Sequence, residues 1–383
     1  MANALLDLGL RPGDRVGVLE DNSVEAADFF LGAGIASLVR VPLYPRNGIE
    51  AHHHMLAHTT CRALGVSAAY ASAVEGIEAD LPDLGHVIVR DDTYEDWLAN
   101  QRPDDPLIPC APDDLYIIRH TGGTTGPSKG VPYTHKQWLD AGRDWFYLFP
   151  PVVPGDACMH IGPISHGSGY LFLPTYLSGG RNVLLDHFDP ADVLEVLERE
   201  QVTHAFLIPT MLNAIARHPG AGDRDWSHLK ALQMGGAPIA DDTALTARAV
   251  FGDVLYQGYG QTEALPVTMM GPEEWFAELE GSTPLRAAGR PLPVADLAIL
   301  DPETHEELPI GNEGEIAIRC DGQMTGFWDN AEATAERMHD GWVLTGDIGR
   351  FCVNGYLYVV DRLDDMIISG GYNIWPAELE NVL

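Results

Sequence analysis

The sequence predicts an α/β protein: helix-covered, mainly parallel sheets through most of the chain, then a smaller antiparallel unit. Three observations carry this. Near the start, "DRVGVLE" reads as a short strand, "NSVEAADFFLGAGIAS" as a capped apolar helix, and "SLVRVPLYP" as a second strand ended by Pro45. The same strand–helix–strand grammar returns later. "DPADVLEVLERE" opens with Asp189 as N-cap and Pro190 at the first helical position, and "VTHAFLIP" follows as a buried strand. "LKALQMGG", a helix from about Asp241 to Phe251, and "VLYQGYG" repeat the unit, which implies parallel strands under helices. From about Val294 the texture changes to strands with tight turns: "ADLAILD", "GEIAIRC" and the hairpin "GRFCVNGYLYVVDR", where Asn354-Gly355 predicts a type I′ turn.

Composition bounds the function. At 383 residues and 45% hydrophobic, the chain is long enough for a sizeable core and more than one domain. A net charge of −33, with only three lysines (Lys129, Lys136, Lys230), argues against nucleic acid or an anionic membrane as partner. A positive charge facing an anionic ligand must therefore be placed locally. The five cysteines are scattered without a C-x-x-C, so neither a disulfide framework nor a zinc ribbon is indicated. No charged-then-apolar leader opens the chain and no apolar stretch approaches spanning length, so no membrane insertion is expected and a reducing cytoplasm fits. The His52-His53-His54 triplet falls in a helical stretch, Ala51 to His58, with no acidic or cysteine partner nearby, and is not read as a metal site.

The stretch that points to chemistry is "TGGTTGPSKG", Thr121 to Gly130. Glycines let backbone N–H groups converge on one point, hydroxyls add donors, and a lone lysine supplies positive charge: a concave anion site suited to phosphates. A Walker loop needs Gly before the Lys and Ser or Thr after it, whereas Lys129 lies between Ser128 and Gly130.

Four further stretches follow in order: "GGAP" (Gly235 to Pro238), "YQGYGQTE" (Tyr256 to Glu263), "GWVLTGD" (Gly341 to Asp347) and "VVDRLDDMIISGGYNIWPAELENVL". With the loop, this set resembles the adenylate-forming superfamily of acyl-CoA synthetases, peptide-synthetase adenylation domains and luciferases, over nearly the whole chain. One departure is local: the family often has Pro just before the loop Lys, and here Pro127 and Ser128 stand in the other order.

The resemblance implies the family's large N-terminal domain, with two helix-covered, mainly parallel sheets and a small antiparallel β-barrel. Residues 1–361 would form this AMP-binding domain, its barrel-like part about 285–361; 362–364 would be a hinge, and 365–383 the start of a C-terminal lid. Such enzymes use ATP and Mg2+ to convert a carboxylic acid to acyl-AMP, which a thiol such as CoA then attacks.

By resemblance, Thr121, Gly122, Gly123, Thr124, Thr125, Gly126 and Lys129 bind the β- and γ-phosphates, with Glu263 the magnesium ligand helped by Thr121. Lys129, His166, Thr262 and Glu263 form the catalytic set. Gly235, Gly236, Ala237, Pro238, Gly258, Tyr259, Gly260, Gln261, Thr262 and Val359 line the nucleotide, Tyr259 stacking on adenine while Asp347 and Arg362 bond the ribose hydroxyls.

His166 in "GPISHGSGY" matches a pocket residue beside the carboxylate, and the acyl pocket takes His166, Ser168, Gly235 and Gly258. Asp364 is the hinge; Ser369, Gly370 and Gly371 match the loop lining the pantetheine tunnel. Amino-acid-activating relatives commonly place an Asp near His166 to pair with the substrate ammonium, and none occurs between Ile161 and Tyr176. A fatty or aryl acid is therefore expected. The family's lid carries a second lysine that bridges carboxylate and α-phosphate; nothing after Asp364 is a lysine, so weak or no adenylation by this chain is expected. A module loading a carrier protein, or a non-catalytic nucleotide- or acyl-adenylate-binding protein, remains an alternative. Which acid is used and the oligomeric state are not encoded legibly.

Overall fold

The computed structural model describes residues 1–121 and 127–363, with the backbone of two further short strands, 367–369 and 372–374. The first sheet contains β1 (Arg15–Leu19), β2 (Val39–Leu43), β3 (Ala63–Ser67), β4 (His86–Arg90), β5 (Leu115–Thr121) and β6 (Lys129–Thr134), in the order β4-β3-β1-β2-β5-β6. All neighbours are parallel except β5 and β6. The helix Ala26–Ile35 makes the crossover between β1 and β2 that "DRVGVLE" to "SLVRVPLYP" predicted. Val16, Leu19, Val39 and Val41 are buried, as strands covered on both faces require.

β5 and β6 pair antiparallel, so Thr121 and Lys129 face each other across the ladder at its open end. The phosphate-loop sequence is the connection between them. After β6, Thr134 caps the helix His135–Asp144: its hydroxyl accepts from the Gln137 amide, and the Gln137 side chain accepts from the Thr134 amide.

The second sheet holds β7 (Ala157–His160), β8 (Arg181–Leu184), β9 (His204–Leu207), β10 (Ala231–Met234), β11 (Leu255–Gln261), β12 (Ala264–Met270) and β13 (Arg290–Pro291), ordered β13-β12-β11-β10-β9-β7-β8. β7 to β11 are parallel; β12 and β13 are antiparallel additions. The Asp189 carboxylate accepts from the amides of Ala191 at 2.9 Å and Asp192 at 3.2 Å, with Pro190 at the first helical position, so Pro190–Arg199 starts as its sequence requires. The helix Asp241–Phe251 ends at Gly252, whose φ of 83° suits glycine.

Strand periodicity sorts this sheet into two faces. Met159, Ala205, Leu207, Leu232, Met234 and Leu255 join the cluster under the outer helices. Cys158 and Ala231, with the partly buried Phe206 and Tyr256, join the cluster between the two sheets, which also contains Phe30, Tyr133, Trp138 and Tyr170. Phe30, fully buried, touches the Tyr116, Trp138 and Phe172 rings. Truncating a buried Phe to Ala costs about 3–5 kcal/mol.

The third sheet is antiparallel, as expected: β14 (Ala295–Leu300), β15 (Gly314–Cys320), β16 (Met338–His339), β17 (Trp342–Phe351) and β18 (Leu357–Arg362), with β17 pairing β15, β16 and β18. The turn between β17 and β18 differs from expectation. A type I′ turn needs positive φ at both central residues, and of Asn354 and Gly355 only Gly355 has it, at 78°. Instead the Gly355 amide donates to the Cys352 carbonyl at 2.9 Å, a three-residue turn closed by a left-handed glycine. The reason lies in the Asn354 side chain, which donates to the Glu280 carbonyl at 2.9 Å and the Ser282 hydroxyl at 2.7 Å. Those bonds tie the turn to the preceding loop.

Two short strands, β19 (Ile367–Ser369) and β20 (Tyr372–Ile374), pair antiparallel. Gly122 to Gly126, the hinge Asp364, the tunnel residues Gly370 and Gly371, the Ser369 side chain and the expected helix from Pro376 lie outside the described residues. Among the described residues no helix is long and apolar enough to cross a membrane.

Candidate active site

The site lies where the carboxyl ends of the parallel strands of the second sheet meet the β5–β6 hairpin, the region of an open α/β sheet that takes ligands. At the phosphate end, Thr121 and Lys129 bracket the loop. Two of the three lysines are ion-paired, Lys136 with Asp140 and Lys230 with Asp156. Lys129 has no carboxylate within 4.0 Å among the described residues; its Nζ sits 5.4 Å from the centre of the Phe327 ring. In a chain this acidic, an uncommitted ammonium is a local positive site. The hairpin is anchored from behind: His54 bonds the Ser128 carbonyl through Nε2 at 2.9 Å, and the Trp328 amide donates to the Gly130 carbonyl at 2.8 Å. His52 bonds the Tyr44 carbonyl at 3.0 Å, so two members of the histidine triplet serve local structure.

Glu263 sits in the tight turn between β11 and β12, where Gln261 pairs with Ala264. The Met324 amide donates to the Glu263 carbonyl at 2.7 Å, and the Tyr133 hydroxyl donates to the Thr262 carbonyl. Tyr133 is on β6, four residues after Lys129, so this bond fastens the lysine-bearing strand to the glutamate-bearing turn. Glu263 is only 6% exposed, yet its carboxylate has no hydrogen-bond or ion-pair partner among the described residues. A buried carboxylate without a counter-charge is costly. Its hard oxygens fit Mg2+, as does the neighbouring Thr121 hydroxyl.

The ribose-side residues form one network. The buried Asp347 carboxylate accepts from the Tyr259 hydroxyl at 2.6 Å, the Gln261 amide at 2.6 Å and Arg362 Nη1 at 2.7 Å. Gln261 also donates to the Thr345 carbonyl at 3.0 Å. Burial first, then the Asp347 charge, push the Tyr259 phenol pKa well above its usual value, so it stays a donor. Val359 pairs with Gly349 across β17 and β18 beside this network. Gly236, Ala237 and Pro238 are exposed at the end of β10, and Gly260 at the end of β11.

On the acyl side, the His166 ring meets Tyr44 edge to face at 5.5 Å, and the Tyr44 hydroxyl donates to the His120 carbonyl at 2.8 Å. The edge of His166 reaches solvent while the bulk of the protein surrounds the rest. Desolvation, then the Arg119 charge, hold its pKa below the imidazole range, so it is neutral at pH 7. Ser168 is 1% exposed with an unpartnered hydroxyl. Gly235 and Gly258 are buried against the Phe206 ring and Thr268: a Cβ on Gly235 would lie 3.3 Å from the ring, and one on Gly258 3.1 Å from the Thr268 carbonyl. Glycine at 258 is thus required by close backbone approach.

Three site residues escaped the sequence reading: Tyr44, which braces His166; Arg119, whose buried guanidinium meets the Tyr170 hydroxyl and lies 4.7 Å from that ring; and Gln233 on β10. Polar residues inside the apolar runs "LYIIRH" and "KALQM" were the available signal.

The AMP-binding enzyme family matches residues 1–328. Feruloyl-CoA synthase of an Amycolatopsis species is 36% identical over 100% of this chain and 75% of the relative. A medium/long-chain fatty acid–CoA ligase of Mycobacterium tuberculosis is 32% identical over 98% of this chain and 67% of the relative. Among solved structures, a Mycobacterium tuberculosis fatty acyl-CoA synthetase superposes with a TM-score of 0.87 at 29% identity, covering 100% of this chain and 74% of that one. The ATP-bound MatB of Rhodopseudomonas palustris gives 0.89 at 27% identity, covering 99% and 74%. With its two α/β sheets, its phosphate-loop hairpin and these relatives, the chain belongs to the AMP-binding enzyme family, the AMP-forming acid–thiol ligases whose reactions use ATP, Mg2+ and CoA.

Proposed function

We propose that this protein activates a carboxylic acid without an amino group, fatty or aryl, to an acyl-AMP and passes the acyl group to CoA in a reducing, cytoplasmic setting. The observation that carries this reading is the pairing of a free ammonium, Lys129, with a buried unpaired carboxylate, Glu263, joined through Tyr133. Each lacks the partner that ATP and its cation would supply.

In the first step a substrate carboxylate oxygen attacks the α-phosphorus and pyrophosphate leaves. Lys129 and the loop amides would hold the β- and γ-phosphates, where charge grows on the leaving group. Glu263, with Thr121, would hold Mg2+, which supplies charge neutralisation on the phosphates. Asp347 and Arg362 would exchange bonds with each other for bonds to the ribose hydroxyls, and Tyr259 would lie against adenine. In the second step the CoA sulfur attacks the acyl carbonyl and AMP leaves. His166, neutral at pH 7, would orient the carboxylate by hydrogen bonding. The tunnel through Ser369 to Gly371 and the hinge at Asp364 belong to this second step.

Support for a non-amino acid comes from the wall around His166, where no carboxylate stands between Ile161 and Tyr176 to pair with an ammonium. The feruloyl and fatty-acid relatives agree. The test is a competition of alkyl, aryl and amino acids for Mg-ATP-dependent acyl-CoA formation, followed by mass spectrometry. Acyl-CoA from alkyl or aryl acids is expected; preference for amino acids would overturn the assignment.

A further inference from the structure

Gln233 stands in the middle of β10, paired in register with Phe206 on β9 and Tyr256 on β11. Both neighbours pack into the cluster between the sheets, so Gln233 faces the same way. Its side chain has 0% exposure, and both Nε2 and Oε1 lack a hydrogen-bond partner among the described residues. A buried amide with neither head atom paired is destabilising in the free protein and calls for a partner.

Its position says what the partner is. A Cβ on Gly258 would come within 3.3 Å of Gln233 Nε2, and one on Gly235 within 3.3 Å of the Phe206 ring. The amide therefore borders the two glycines read as acyl-pocket wall. It also lies two residues upstream of Gly235, roughly 6–7 Å deeper from the carboxyl edge of the sheet, on the side away from the phosphate loop. Around it are ring faces: Phe206, Tyr256, and Phe149, whose ring meets Tyr256 edge to face at 5.4 Å. The Ser168 hydroxyl, also unpartnered, borders the same pocket. Phe206 and Tyr256 are only partly buried, and a rotamer change in either ring would uncover the amide.

Resting on the acyl-activating reading above, we infer that Gln233 is a specificity-determining residue: its amide recognises a hydroxyl at the far end of an aryl acid, accepting from it through Oε1 and donating to it through Nε2. A site built around a buried hydrogen-bonding group discriminates strongly against the analogue lacking its partner, because the protein group is then left unpaired.

The test uses two non-hydrolysable adenylates, 3-(4-hydroxyphenyl)propanoyl- and 3-phenylpropanoyl-sulfamoyl adenosine, which differ by one oxygen. Each is titrated calorimetrically into the wild-type chain and into Gln233→Met, with thermal unfolding to confirm the fold. The wild type is expected to prefer the hydroxylated analogue by about tenfold or more, and Gln233→Met to lose that preference while binding the phenyl analogue at least as tightly. Equal binding of both by the wild type, or a preference surviving in Gln233→Met, overturns this inference and leaves the acyl-activating reading intact. Binding of neither analogue by folded wild type overturns both. Should Gln233→Met not fold, Gln233→Glu keeps the acceptors and loses the donor. A 4-methoxy analogue, which can only accept, should then lose affinity more than the hydroxylated one; equal losses reject the assignment.

Discussion

The two ends of this site are built on opposite terms. At the ribose end, Asp347 is saturated by Tyr259, Gln261 and Arg362, so the acceptor that nucleotide hydroxyls would use is already oriented. At the phosphate and acyl ends, Lys129, Glu263, Ser168 and Gln233 have no polar partner of their own among the described residues. The saturated end can be rigid because adenosine is the same in every turnover. The unsaturated end carries the free energy that only the right triphosphate and the right acid release.

The strongest way to break this comparison is at the unsaturated end. Glu263→Ala should lower Mg-ATP-dependent pyrophosphate release by about a hundredfold or more, while affinity for a metal-free adenylate analogue stays near the wild-type value. At the saturated end the pattern should invert. Asp347→Ala should weaken ATP and adenylate analogue together, by about ten- to a hundredfold, because each loses the same ribose contact. Lys129→Ala separates the two ligands: calorimetry should show ATP weakened by about tenfold and the analogue, which has no β- or γ-phosphate, unchanged.

The smallest effect concerns the scaffold rather than the site. His160 on β7 is buried, its Nε2 bonded to Asn182 at 2.7 Å, and burial pushes its pKa down to about 4 from 6.5. The folded state thus favours the neutral ring, while the unfolded chain takes up a proton near pH 6.5. Stability from this group is full above pH 6.5 and falls as pH drops toward 4, by up to about 3 kcal/mol. His160→Gln should flatten the fall in thermal midpoint between pH 7 and 5.

Much of the frame was legible because it is written locally. Asp189-Pro190 starts its helix by bonds to residues two and three positions on, and the Asp241–Phe251 helix follows from its own pattern. The phosphate hairpin could be read because glycine, hydroxyl and lysine lie within ten residues. What failed or was missed depends on distant chain. Asn354 is pulled from its local turn preference by residues 72 and 74 positions away. The Asp347 network spans 86 and 88 positions, so only the ordered motifs suggested it. Gln233 acquires meaning only when three strands register Phe206, Gln233 and Tyr256 side by side. A lone glutamine in an apolar run carries none of that.

The most direct test of the account is calorimetric titration of one non-hydrolysable acyl-adenylate into the wild-type chain and Asp347→Ala, both verified as folded. Saturable one-to-one binding by the wild type, weakened at least about tenfold by the substitution, is the predicted result. No binding by the wild type, or equal affinity in both proteins, would contradict the assignment of this network and its neighbouring pocket to an acyl-AMP.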